Sequence, residues 1–510
     1  MRVLRVKNFI FRFLLVLCLV TSVHLTQVKA VDLDWSGQFL SESHWIYNYS
    51  LERGNVTSDA TRSAAGGYYI SGGGSENANF QSLFLRLRPS LIVNDNLYIK
   101  SEWWLGSPIY GFFGAASPYA LDQKYYYSTQ SRGSSVTAQR FWAELITNLG
   151  VVQVGRAPLN WGLGVVWNNR NDLNSRYPST GDVVRLVSKF GSFLFSPSFI
   201  KYSAGNNVGG ACQVSGVNCT PVEGDGDVVD YSISFKYENL DEDLEIGVNF
   251  IRRLVGSSQD TASGYQFLGS GAGANYNTWD LYGKKHMGKL DFGVEVPIAN
   301  GQIGGADYKS LGIATEVDWS ISDFWKMNLK GGYASGQENI SSTAPDSYRA
   351  FYFHPDYRVG LIMFNYQFNN FSGPNLANDA SLTEANLGSP YDNPIVNATY
   401  LSVASNYQTG KWNLRGALVF ANALKTASNS GRFFNTWTRN FVDYSDGPSQ
   451  SAFMGWEADF GAQFNYDRHF TFDFDFGLMF PGGFYKFSNT SQENGMSPVF
   501  AVVMKASASF

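Results

Sequence analysis

Beyond position 30 the chain holds no apolar run approaching the ~20 residues that a membrane-spanning helix requires, and it keeps only two cysteines, Cys212 and Cys219, and four histidines, His44, His286, His354 and His469. The first absence excludes transmembrane helices. The second leaves Cys212 and Cys219, close together in a Gly-rich polar stretch, as a local disulfide of an exported protein. A metal site is the poorer reading, because no histidine or third cysteine lies nearby. The shortage of histidine also leaves little for hydrolytic chemistry: His286 and His469 fall beside short turns, and His354 is separated from Asp356 by Pro355 with no serine motif in reach. No cofactor is implied. Charge is scarce too, at 16% of residues; five of the 38 basic residues and none of the 43 acidic ones lie in the first thirty, so 33 face 43 in the remainder. A surplus of about ten negative charges argues against nucleic-acid binding.

What is abundant is aromatic and small: 39 Phe, 29 Tyr and 13 Trp beside 52 Gly. Aromatic rings suit the two interfaces of a membrane barrel, and glycine suits its bends and crowded interior positions. The two ends agree with export. Arg2, Arg5, Lys7 and Arg12 precede an apolar run from Phe13 to Val20, and Val28-Lys29-Ala30 has the form of a cleavage site, so residues 1–30 read as a signal peptide and 31–510 as one domain. Leu17 before Cys18 argues against a lipid anchor there. The last residue is Phe510, and a terminal aromatic on a final strand resembles the assembly signal of outer-membrane barrels, which implies the barrel-assembly machinery as a partner.

Strict alternation runs through the chain. Phe470, Phe472, Phe474 and Phe476 share one face of a strand, and Thr471, Asp473 and Asp475 the other; Trp456 to Phe464 alternate likewise against Glu457 to Asn465. A strand with lipid on one side and water on the other has this period of two. Short turns are expected near Asn94–Asn96, Asn148–Gly150, Gly191, Asn239–Glu242, Gly288, Ser320–Asp323, Thr409–Lys411 and Asp467–His469, each pair of strands being followed by a long polar loop. Eight hairpins with a first strand at Leu33–Tyr49 and a last at Val499–Phe510 give an all-β fold, a transmembrane antiparallel β-barrel of about 18 strands, with 16 as the alternative. The short turns are then periplasmic, the long loops extracellular, and both ends of the wall periplasmic. The apolar run Tyr357 to Phe368 falls outside this count and is placed in the loop between Gly336 and Pro394, folded over or into the barrel. An interior this wide is not filled by wall side chains alone.

Charges inside apolar strands cost ~2–4 kcal/mol when they face lipid near the midplane, so parity places them in the lumen. Early strands carry Arg86, Arg88, Arg140, Glu144, Arg185 and Lys189; later ones carry Asp291, Glu295, Glu316, Asp318, Glu457, Asp459, Asp473 and Asp475, with Lys326 and Lys330 as exceptions. One reading is a mainly basic wall opposite a mainly acidic one, whose transverse field sorts solutes. The other is that the charges pair with neighbours and solvate the lumen. From Val151 to Phe190 the alternation breaks at Arg156, whose parity is that of Val152 and Val154, so a bulge or early strand end is needed for it to reach the pore.

Gly155-Arg156, Trp161-Gly162, Gly164, Trp167, Asp182 and Val184-Arg185-Leu186 resemble the corresponding segment of alginate-export porins, in which a Gly-Arg pair ends a strand and a Gly- and Trp-containing loop follows. The resemblance covers about a tenth of the chain. It implies a pore whose constriction includes Arg156 and the loop after it; Trp161 belongs to that loop, and Asn168, Asn169, Arg170 and Asp172 are the polar groups offered to a passing solute. Trp161, Gly162 and Gly164 also fit a tightly packed loop. The function read from all this is passive diffusion of small polar or charged solutes through a mixed-charge lumen across a Gram-negative outer membrane, with small polar or anionic solutes, lipids and lipopolysaccharide as its partners. A surface adhesin and an outer-membrane hydrolase are the alternatives, and no residue marks a subunit interface.

Overall fold

Alternating strands of this length bury one face against water-filled or packed lumen and offer the other to lipid, and the backbone groups are satisfied in lipid only if the sheet closes. The computed structural model describes residues 32–48, 51, 78–106, 136–169, 175–203, 228–256, 273–342, 345–366, 393–428, 431–436, 440–443, 448–486 and 496–510, and in them the sheet closes. The wall strands are β1 (Asp32–Tyr47), β2 (Ala78–Asn94), β3 (Leu97–Gly106), β4 (Val136–Thr147), β5 (Gly150–Pro158), β6 (Thr180–Phe190), β7 (Phe193–Ser203), β8 (Val228–Asn239), β9 (Leu244–Val255) and β10 (Ala274–Met287). They continue as β11 (Leu290–Ile303), β12 (Ala306–Ser320), β13 (Trp325–Ala334), β14 (Ala398–Thr409), β15 (Trp412–Ala423), β16 (Phe453–Asn465), β17 (Phe470–Pro481) and β18 (Val499–Ser509). Each pairs antiparallel with its chain neighbour, and β18 returns to β1 with Gln38 opposite Ser509 and Tyr47 opposite Phe500. The expected 18 strands are therefore present.

All eight short turns fall where the sequence placed them, at the end of the barrel that also carries Asp32 and Ser509. At the opposite end the connections are long except between β11 and β12, where Gly304 and Gly305 alone make the turn; Gly304 takes a φ of 59° that favours glycine. The run that did not fit the count is no wall strand: residues 350–366 lie in the lumen, with Tyr357, Ile362, Met363 and Tyr366 fully buried. The segment 1–30 expected to be a signal peptide lies outside the described residues, as do Cys212, Cys219, Arg170 and Asp172.

Parity decides which side chains meet lipid. Val154, Val184, Ile233, Leu281, Leu329, Leu418 and Phe460 stand exposed on the outer face. Aromatic pairs mark the loop end of this belt, with Tyr47 on Phe500, Phe250 on Trp279 and Trp456 on Phe480 at centroid distances of 4.2, 4.6 and 4.4 Å. Trp319, Phe324, Trp325, Tyr407 and Trp412 do the same near the turns. Two such girdles flanking an apolar band fix the height of a barrel in a bilayer.

The seam is tied at its last residue. Gly37 N–H donates to the Phe510 carbonyl at 2.9 Å and Phe510 N–H to that of Gly37 at 3.0 Å, while the Phe510 ring lies over Gly37 so closely that a Cβ there would overlap it. A Gly37→Val variant must swing the ring aside and strain this pair, at an expected cost of about 1–2 kcal/mol. The check is the temperature at which the compact, heat-modifiable band of the folded barrel disappears on a gel; an unchanged temperature would mean the ring contributes nothing to closure.

Candidate functional site: two loops latched inside the lumen

The lumen is crossed by two segments whose backbones, apart from short pairings of Tyr348 with Tyr308 and of Tyr352 with Val396, have no sheet partner, so most of their polar groups must be satisfied otherwise. The first leaves the wall after Pro158 and returns at Thr180. Leu159, Trp161 and Trp167 pack against Val183, Ile200 and Ile251 of the wall, and Trp161 N–H donates to Trp167 O at 3.1 Å, closing a tight reversal. Gly162 and Gly164 take φ values of 54° and 89° within it. A Cβ on Gly162 would also collide with the carboxylate of Glu295. That carboxylate, fully buried on β11, accepts N–H bonds from Leu163, from Val165 at 3.1 Å and from Val166 at 3.4 Å.

The second segment is the run Tyr348 to Tyr366. On β16, Glu457 accepts the Ile362 and Met363 N–H groups at 2.7 and 2.6 Å, and Asp459 accepts that of Leu361 at 3.1 Å. Ser402 donates to Val359 O, and Tyr366 bonds His44 on β1 at 2.8 Å. The two segments then join each other. Asp356 accepts the Ser175 hydroxyl at 3.2 Å and the N–H groups of Arg176 and Tyr177 at 3.0 and 2.8 Å, and His354 N–H donates to Val165 O at 2.7 Å. An apolar cluster of Val165, Phe353, Tyr357, Ile362, Met363 and Tyr400 fills the space around the junction.

Beside the junction the early strands place a buried ion cluster. Glu102 on β3 stands 3.8 Å from Arg86, 2.8 Å from Arg88 and 3.2 Å from Arg140, and Arg86 also donates to Ser175 O of the first loop. Arg176 of that loop pairs with buried Glu42 on β1 at 2.9 Å. Nearer the turns Lys100 pairs with Glu144 at 2.7 Å, Arg185 donates to Gln153 at 2.7 Å, and Lys189 pairs with Glu238 at 3.4 Å. Across the lumen Lys330 pairs with Glu316 at 2.9 Å, Asp318 accepts from Asn328, and Arg415 binds both Asp473 and Asp475, the latter also reached by Lys505. His286 and Asp291 pair at a turn, at 2.8 Å. Most of the charges of both walls thus have a local partner of opposite sign or a polar donor, while Glu295, Glu457 and Asp459 bind backbone N–H groups of the loops instead. Of the two expectations, pairing with neighbours is the one these geometries support.

Arg156 requires a correction. The ladder runs without a shift through Phe141↔Arg156, Trp142↔Gly155 and Ala143↔Val154, so Gly155, despite its φ of 120°, does not turn Arg156 to the other face. Arg156 keeps the parity of Val154 and instead binds Asp182 through two bonds of 2.8 and 3.0 Å, the side chains being 52% and 50% exposed. It borders a cavity of about 500 Å³ at the loop end with Trp104, Thr180, Tyr202 and the junction residues Arg176 and Tyr177. Trp161 packs in the loop core, Asn168 is buried, and Asn169 bonds Arg140. The groups that sequence reasoning missed are Glu42, Glu102, Arg176, Asp356, Arg415 and Lys505. Parity alone would have put Glu102 in the lumen opposite Arg140, but nothing in the pattern shows that three arginines converge on it.

On the turn side of the second loop lies a cavity of about 520 Å³ bordered by Leu361, Arg415, Asp459, Asp473 and Lys505, and next to it, sharing Asp318, one of about 240 Å³ bordered by Asn160, Leu163, Lys284 and Glu316. The loops divide these from the loop-end cavity. An Asp356→Ala variant leaves the donors of residues 175–177 without their acceptor, at about 2–4 kcal/mol, and the two loops are expected to separate while the wall persists. Amide hydrogen exchange should rise at 175–179 and 353–366 and stay unchanged in β9 to β12; equal protection in the variant would refute the latch.

No family model matches this sequence, and no curated protein matches it. Among solved structures, the chain is similar in fold to OpdO of Pseudomonas aeruginosa, with TM-score 0.48 and 10% identity over 94% of this chain and 97% of that one. It is similar to OccAB4 of Acinetobacter baumannii, with TM-score 0.45 and 10% identity over 94% and 98%. It is also similar to OpdK of Pseudomonas aeruginosa, solved with vanillate, with TM-score 0.46 and 9% identity over 94% and 98%.

Proposed function

We propose that the protein is an outer-membrane channel for passive diffusion of small polar or charged solutes. The observation that carries this is a closed barrel with an apolar, doubly girdled outer face around a lumen that holds cavities of about 500 Å³ lined by charged residues on both sides of two latched loops. A barrel that served only as a surface scaffold has no use for Arg185, Lys100 and Glu144 along its inner wall. Compensated charges suit such a lumen, because they wet it while binding no single ion tightly.

The resemblance of Gly155 to Leu186 to alginate-export porins supports the inward course of the loop after β5, and gives no ground for alginate as the solute. The same proposal includes export through the signal peptide 1–30, recognition of Phe510 by the barrel-assembly machinery, and a surround of outer-membrane lipid and lipopolysaccharide. A hydrolase reading has less to rest on: His286 is bonded to Asp291 and His469 to the Ser509 carbonyl, both at turns.

Refolded protein in a planar bilayer is expected to give stable channels whose conductance is well below that of an unobstructed barrel of 18 strands, and the Asp356→Ala channel is expected to be larger and noisier. Replacing Arg88 and Lys100 together by Gln should shift ion selectivity towards cations, whereas Arg156→Ala should leave it unchanged. Folded protein that does not conduct would end the channel reading. A selectivity shift confined to Arg156→Ala would place the constriction at the loop-end cavity instead.

A further inference from the structure

Charge at the outward positions of the described strands is confined to β5 to β12: Arg156, Asp182 and Lys201 meet on β5 to β7, and Arg252, Lys285, Asp307 and Lys309 stand on β9, β10 and β12. The outward positions of β1, β3 and β14 to β18 carry none, as in Trp45, Trp103, Leu401, Leu418, Phe460 and Met504. On β9 to β12, by contrast, a row of four polar residues runs around the wall in register: Arg252 is opposite Asn277, Asn277 opposite Asn300, and Asn300 opposite Lys309. Their orientation follows from their chain neighbours. Ile251, Thr278, Ala299, Tyr308 and Ser310 are buried towards the lumen, so the row between them faces out, and Arg252, Asn300 and Lys309 are exposed.

Its height is as specific as its direction. The next outward row towards the turns is Ile233, Phe250, Trp279 and Ile298, with the Phe250–Trp279 pair belonging to the loop-end girdle. The polar row therefore sits just above the apolar belt, where the head groups of one leaflet lie. Three strand spacings separate Arg252 from Lys309, about 14 Å, and the interval is filled by carboxamides that donate hydrogen bonds without adding charge.

We propose that this row is a binding site for a phosphorylated glycolipid of the leaflet at the loop end, with anionic groups at the two ends of its head group held by Arg252 and Lys309 and its sugar hydroxyls by Asn277 and Asn300. Within the row itself two cations are separated by neutral amides, which fits a long head group charged at both ends; the one acid on this face nearby, Asp307, lies one outward row nearer the loops. A glycerophospholipid with one phosphate engages one end of the row only. The acyl chains would lie on Trp279, Ile298 and Phe250 directly below. The inference rests on the outer-membrane reading for its orientation, but its test does not depend on conduction.

The purified, folded barrel in detergent is titrated with bis-phosphorylated lipid A, with the same lipid stripped of phosphate, and with phosphatidylglycerol, and bound lipid is read by native mass spectrometry. Lipid A is expected to form a one-to-one adduct. In an Arg252→Gln, Lys309→Gln variant, shown to be folded by its heat-modifiable mobility, the affinity should fall about tenfold or more, as the loss of two interfacial cations implies, and the stripped lipid should bind as weakly to the native protein. Equal binding by the variant, equal binding of phosphatidylglycerol, or a protein dimer that excludes lipid and dissociates in the variant would overturn the site, the last by making the row a contact with a second copy. A barrel that binds lipid A through this row yet does not conduct would leave the site standing and the channel reading refuted.

Discussion

Buried carboxylates that accept backbone N–H groups hold the interior of this barrel together. A loop carried into the lumen brings amides that no strand can pair, and each left unsatisfied costs more than an ordinary hydrogen bond gains. Glu295 gathers three such amides from the first loop, Glu457 and Asp459 gather three from the second, and Asp356 gathers two amides and a hydroxyl where the loops meet. Acceptor-only groups with several lone pairs suit this task better than amides or hydroxyls do. The apolar cluster around Tyr357 and Ile362 can pack inside a lumen only because its backbone has been dealt with in this way.

The same latches explain where the glycines of the first loop fall. Gly162 is held between a left-handed turn and the Glu295 carboxylate, so a side chain there would meet both a strained backbone and an occupied site. Gly247 and Gly293 leave room on the wall for the Trp161 and Leu163 side chains. Wall and loop are therefore fitted to each other residue by residue.

The wall was legible in the sequence because period-two alternation is local: Phe470 to Phe476 announce a strand, its orientation and its solvent without reference to the rest of the chain. Turn positions were legible for the same reason. The site was legible only in outline. Parity assigned Glu457 and Asp459 to the lumen, yet their role as loop acceptors depends on residues about 95 positions away, and the run Tyr357 to Phe368 read as ambiguous because its apolar content serves an interior cluster, not lipid. Arg156 misled because a strand-terminal arginine next to glycine suggests a bulge, while its partner Asp182, one strand away in the ladder, provided a cheaper solution on the same face.

The distribution of ion pairs follows from the same economy. Near the loop junction the charges are buried and dense: Arg86, Arg140 and Glu102 are nearly inaccessible, as are Arg176 and Glu42. A buried ion left without its partner is strongly destabilising, so these clusters fix the loops against the wall and are unsuited to exchanging with a moving solute. Towards the turns the pairs Lys100–Glu144 and Lys189–Glu238 are more open, with the cations partly exposed. There solvent screens each attraction to a small value, and a passing ion can replace one partner at little cost. The interior therefore divides into a buried set of charges that ties the loops to the wall and a more exposed set towards the turns, and only the second is open to exchange with solvent ions.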